Sequence, residues 1–152
     1  MQTRREMLAR SASVAAALAG LGLLPQAAQA AWSQAAFDAK TMGDLMKALG
    51  TSGPTESKDV TITGPDIAEN GAVVPVGAAT SLAGVKRILL LVEKNPSMLA
   101  ALFDVTDAVE ANISTRVKMG QSSNVIAVAI TADNKVLFAQ KEIKVTLGGC
   151  GG

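Results

Sequence analysis

From Asp59 onward the apolar residues recur with a period of two rather than 3.6, in short runs cut by Gly, Pro, Asn and Asp. That pattern restricts the chain to folds built from half-buried strands. Val60 and Ile62 alternate with Asp59, Thr61 and Thr63, and Gly64-Pro65 stops the run. Asn70-Gly71 is a turn signal, and residues 72–76 read as a short strand whose Pro75 implies an edge or a bulge. Ile88-Leu89-Leu90-Leu91-Val92 is apolar on both faces, as a central strand covered on both sides requires, and Asn95-Pro96 ends it. Residues 99–105, with Phe103, read as a further strand. Ile113, Thr115, Val117 and Met119 face one way, and Ser114, Arg116 and Lys118 the other. Residues 125–131 and 135–140 flank Ala132-Asp133-Asn134 in a hairpin pattern, and Ile143, Val145 and Leu147 alternate after it. Six to eight short strands with regular turn signals predict an all-β, antiparallel sandwich.

One helical segment precedes the strands. Residues 32–50 read as helical, with a break inside them left open. Met42, Leu45, Met46 and Leu49 form one apolar stripe, Thr41 suits the cap, Asp44 suits the first turn, and Gly50 suits the C′ position. The Met pair reads as core filler. Thr51 to Lys58 is a polar connection. With the helix first and the strands after, βαβ units and parallel sheets are not expected.

The first 30 residues have the plan of an export signal. Arg4-Arg5 stand in a basic head, an apolar Ala/Gly-rich stretch follows, and Ala28-Gln29-Ala30 is a small-x-small cleavage site. Paired arginines before a weakly apolar stretch favour the twin-arginine route, hence a periplasmic protein. The stretch falls short of the ~20 residues that span a bilayer, so no membrane association is expected of the mature chain. The reading is therefore 1–30 as a cleaved signal, 31–147 as one sandwich domain, and 148–152 as a tail. Removing Arg4, Arg5, Arg10 and Glu6 leaves 11 basic and 12 acidic residues, a net charge of −1. No basic field exists to hold nucleic acid. Four aromatics, Trp32, Phe37, Phe103 and Phe138, are too few for a base-stacking platform.

The chain has no His and a single Cys. That excludes an imidazole base, a Ser–His or Cys–His pair, an internal disulfide and a thiolate cluster for zinc or iron–sulfur. No catalytic residue, metal site or cofactor site is expected. The sole thiol, Cys150, lies third from the end between Gly148-Gly149 and Gly151-Gly152. Glycine has the widest backbone freedom of any residue. Five residues at about 3.3 Å each reach roughly 16 Å. The object expected is a thiol on a short, slim, swinging arm. A free thiol has a pKa of about 8.5, and no neighbour in sequence offers a cation to lower it. Activation would come from a partner's active site, which favours a carried group over self-contained catalysis. An odd Cys in an exported protein also leaves open a Cys150 disulfide between two copies, as in an adhesion-like sandwich.

The tail and leader together resemble SoxY, the sulfur-carrier family of the periplasmic thiosulfate-oxidising Sox system. The interior agrees: Pro65-Asp66-Ile67-Ala68-Glu69-Asn70-Gly71-Ala72-Val73-Val74-Pro75-Val76 resembles the family's central motif. Glu93-Lys94-Asn95-Pro96, Phe103, Thr115-Arg116 and Val145-Thr146 match later positions, while Ser97-Met98 stand where the family often has a second proline. The resemblance implies an immunoglobulin-like sandwich paired with a second sandwich subunit, SoxZ. It implies that Cys150 holds the cargo and that Gly148, Gly149, Gly151 and Gly152 form the carrier arm. A haem enzyme, SoxAX, would join thiosulfate to the Cys sulfur as a cysteine S-thiosulfonate. A hydrolase, SoxB, would release sulfate, and in some organisms a dehydrogenase, SoxCD, would oxidise the remaining sulfur. The carrier itself would turn nothing over.

Overall fold

The structure, a computed structural model, describes residues 33–149. The leader and Cys150, Gly151 and Gly152 lie outside the described residues.

The helical segment is two short helices, α1 (Gln34–Asp38) and α2 (Met42–Ala48). The break has a local cause. Thr41 sits in extended backbone (φ −127°, ψ 155°) and its hydroxyl accepts from the Asp44 N–H at 3.1 Å. An N-cap residue cannot also continue a preceding helix. At the other end Gly50 takes φ +68°, the left-handed conformation that closes a helix at low steric cost. Leu45 and Met46 are buried, and Met42 and Leu49 are half-buried beside them, as the stripe requires.

Nine strands follow among the described residues: β1 (Thr55–Glu56), β2 (Val60–Thr63), β3 (Ile67–Asn70), β4 (Val74–Thr80), β5 (Val85–Val92), β6 (Leu99–Asp104), β7 (Asn112–Val117), β8 (Ser123–Thr131) and β9 (Val136–Leu147). They form an immunoglobulin-like sandwich. One sheet has the order β1-β9-β8-β5-β6, with β3 attached to β9, and the other has the order β2-β4-β7.

The large sheet is covered on both faces, which explains its continuous apolar runs. Ile88, Leu90, Val92, Val125, Ala127 and Ala129 pack toward the small sheet. Leu89, Leu91, Ile126, Val128 and Ile130 pack toward the two helices. Successive residues of one strand thus serve two cores, as the period of two dictates. Met98 belongs to the second core, and Ser97 bonds to the helix beside it. The Ser97 hydroxyl donates to the Phe37 carbonyl at 2.7 Å, and Met98 is buried.

Three features depart from the sequence expectation. First, the sandwich is not wholly antiparallel: β1 and β3 both pair with β9 in parallel. β9 is 12 residues long and outruns β8, whose ladder stops at Ile143. Its remaining backbone groups are met by short segments running the same way. Second, β1 interrupts the polar connection, and β3 occupies residues that carry no alternating apolar pattern. Third, Pro75 lies in the middle strand of the small sheet. β2 reaches only as far as Gly77, so Pro75 has β7 alone as neighbour, opposite Arg116. The edge implied by proline is therefore local to the first residues of β4.

Candidate functional site

The site is one pole of the sandwich, where β9 ends and the chain runs toward Cys150. The loops after β3, β5 and β7 meet there.

The loops after β3 and β7 are tied to the tail. The Gly71 N–H donates to the Leu147 carbonyl at 2.7 Å, the Met119 N–H donates to the Gly71 carbonyl at 2.7 Å, and the Gly149 N–H donates to the Met119 carbonyl at 3.1 Å. Upstream, the Ser122 hydroxyl accepts from the Val145 N–H at 2.9 Å and continues the β8 side of the ladder past Ile143. On the other side of β9, the Lys144 N–H donates to the Asp66 carbonyl at 3.0 Å and the Thr146 hydroxyl donates to the Glu69 carbonyl at 2.9 Å.

Close backbone approach sets the residue types here. A Cβ on Gly71 would stand 2.7 Å from the Gly149 nitrogen and would overlap the Met119 carbonyl. A Cβ on Gly149 would stand 2.8 Å from the Ala72 nitrogen, and one on Gly148 would overlap the Gly120 carbonyl. Such distances are far inside van der Waals contact, so only glycine fits without displacing backbone. Of the tail glycines, Gly148 and Gly149 are thus laid against the body, while Cys150, Gly151 and Gly152 lie outside the described residues.

Lys141 fixes the start of β3 to β9. Its ammonium donates to the Gly64 carbonyl at 2.7 Å and to the Asp66 carboxylate at 2.8 Å. That hydrogen bond, and then the Lys141 charge, hold the Asp66 carboxyl below the usual carboxylate range, against a smaller opposing effect of desolvation. A depressed folded pKa gives stability that is present above the unfolded pKa and is lost as pH falls through the folded one. The carboxylate is open to water, so the contribution is small. In an NMR titration Asp66 is expected to titrate below the ordinary Asp range, and Lys141→Ala should move it back up. An unchanged titration in that variant would refute the pairing.

Three large apolar side chains are exposed at this end: Ile67 on β3, Val73 in the loop after it, and Leu147 at the end of β9. A groove of about 700 Å³ opens at the opposite pole, lined by residues such as Lys58, Thr80, Asp107 and Glu110. Among the described residues no group of three or more His, Cys, Asp or Glu is disposed to hold a metal ion, and no helix is long and apolar enough to cross a membrane. Sequence reasoning singled out the tail but missed its seating against Gly71, Met119 and Gly120. Asn70-Gly71 was legible as a turn, but no spacing rule says that it meets Met119 and the tail.

Fold and pole together define a class: an immunoglobulin-like sandwich whose last strand delivers a glycine-bordered cysteine segment. The family model described as "Sulfur oxidation protein SoxY" matches residues 45–150, up to and including Cys150. The sulfur carrier protein SoxY from Chlorobium limicola f thiosulfatophilum is similar in structure, with a TM-score of 0.62 and 34% identity, covering 69% of this chain and 94% of that one. This chain belongs to the SoxY family, the sulfur carriers of sulfur oxidation. A superoxide reductase (neelaredoxin) from Ignicoccus hospitalis, with a TM-score of 0.51 and 18% identity over 57% of this chain and 79% of that one, shares the fold alone. No curated protein matches the chain in sequence.

Proposed function

We propose that the chain is a periplasmic carrier, exported by the twin-arginine route, that holds thiosulfate-derived intermediates on Cys150 and presents them to successive Sox enzymes. The observation that carries this reading is the family match ending on the chain's only thiol, which follows directly from the seated Gly148-Gly149.

The chemistry suits one sulfur atom and no pocket. The Cys150 thiolate and thiosulfate form a sulfur–sulfur bond, giving Cys–S–S–SO3⁻ and two electrons, which pass to the haem enzyme SoxAX. Water then attacks the terminal sulfone at SoxB. Sulfate leaves with two protons released, and the outer sulfur stays on the carrier as a persulfide. SoxCD is the client that would oxidise this sulfur. A covalent cargo does not diffuse away between these steps, and tethering keeps its effective concentration high at each client. The exposed Ile67, Val73 and Leu147 support a partner covering this pole, and SoxZ is the proposed one.

The test is the mass of the C-terminal peptide after the full-length, signal-processed protein is incubated with thiosulfate and the Sox enzymes. Loading should add S2O3 to the Cys150 peptide, and SoxB should reduce the addition to one sulfur atom. A peptide that stays unmodified, or that appears only as a Cys150–Cys150 disulfide, would overturn the carrier reading in favour of a cross-linked sandwich.

A further inference from the structure

Among the described residues, Asn95, in the loop between β5 and β6, makes no hydrogen bond to β9 or to Gly148-Gly149. Its side chain grips the segment after β7 to which Gly149 is bonded. The Asn95 amide nitrogen donates to the Lys118 carbonyl at 2.7 Å, and its amide oxygen accepts from the Gly120 N–H at 3.1 Å. These two bonds bracket Met119. Met119 is pinned from inside as well, because its side chain is fully buried in the core between the sheets. With side chain and both neighbours fixed, the Met119 carbonyl has one direction, and the Gly149 N–H donates to it.

We infer that Asn95 is a positioning residue for the carrier cysteine: by holding the Lys118–Gly120 segment it fixes Gly149, so that the tail is held up to Gly149 and not only up to Leu147. The inference rests on the carrier reading only for its functional consequence. Gly148 and Gly149 then serve close backbone packing rather than freedom, and Cys150 is the first residue past the clamp. Holding the residue before the thiol leaves less backbone freedom to be lost when a client engages the tail.

Amide hydrogen exchange on the full-length, signal-processed protein tests the clamp without any Sox enzyme. The Gly149 amide should exchange at least about tenfold more slowly than an unstructured glycine amide. Asn95→Ala should remove most of that protection while the Ile143 amide on β9 stays protected. If that variant does not fold, Asn95→Asp serves, because it keeps the acceptor for Gly120 and loses the donor to Lys118. A Gly149 amide unprotected in the parent protein would overturn the inference. So would protection unchanged in the folded variant, or Gly149 and Ile143 losing protection together, which would mark Asn95 as merely structural.

With SoxAX and thiosulfate, the same variant should raise the apparent KM for the carrier several-fold, with the thiol's reaction toward a small free reagent unchanged. If Cys150 of the parent protein never loads, the carrier reading fails while the exchange result stands. If loading is normal and exchange is not as expected, only the clamp fails.

Discussion

Replacing Cys150 by Ser is expected to abolish thiosulfate-dependent turnover by the assembled system, not reduce it. Cys150 is the chain's only thiol, so no second sulfur can take over. A serine oxygen cannot form the sulfur–sulfur bond that the proposed carrier role requires. In sequence the residue follows the last residue of β9 and the hydrogen-bonded Gly149. Folding, measured by thermal melting, should therefore match the parent protein, and so should association with SoxZ. Normal sulfate production by this variant would eliminate the carrier reading. Loss of activity together with loss of the fold would show that the tail is part of the core.

The second large effect is on stability. Leu90 is fully buried at the centre of β5, and its register partners on either side are Ala101 of β6 and Ala127 of β8. Small neighbours cannot swing into a hole, so the cavity left by Leu90→Ala should persist. Buried Leu→Ala changes cost about 2–5 kcal/mol, more where the site collapses less. Against a typical total of about 5–15 kcal/mol this is a large share, and the melting temperature should fall by on the order of 10 °C. Ile62→Ala, at a half-buried position on β2, is the comparison and should cost clearly less. Equal losses for the two variants in urea unfolding would contradict the described packing between the sheets.

Much of the sandwich could be read directly from residues. The doubly apolar run Ile88–Val92 announced a strand with both faces covered, and the structure supplies the two covers, the small sheet and the helices. The Thr41 cap and the Met42–Leu49 stripe announced α2. What stayed hidden depends on tertiary partners. β3 shows no alternation because only Ala68 faces a core, while Ile67, Glu69 and Asn70 are exposed. Its strand conformation comes from β9, not from its own side chains. The parallel pairings were equally invisible, since the direction of a two- or four-residue partner leaves no mark on composition. The glycines of the tail were legible as glycines, yet freedom and close packing call for the same residue. Only the distances to Gly71, Ala72 and Gly120 separate the two reasons.

β9 has a mechanical side. It is bonded to β8 over Val136 to Ile143 and to β1 and β3 on its other side. Inter-strand hydrogen bonds of this kind run across the strand direction. A force applied along β9 would therefore load many of these bonds in shear at once, instead of peeling them one by one. The first contact to give under such a force is the single bond from Gly149 to Met119, with Gly71 to Leu147 next in line. The strand behaves as a bolt and the clamp as a breakaway link. Under the proposed carrier role, a tug on the tail would open those two contacts before it loaded the sheet.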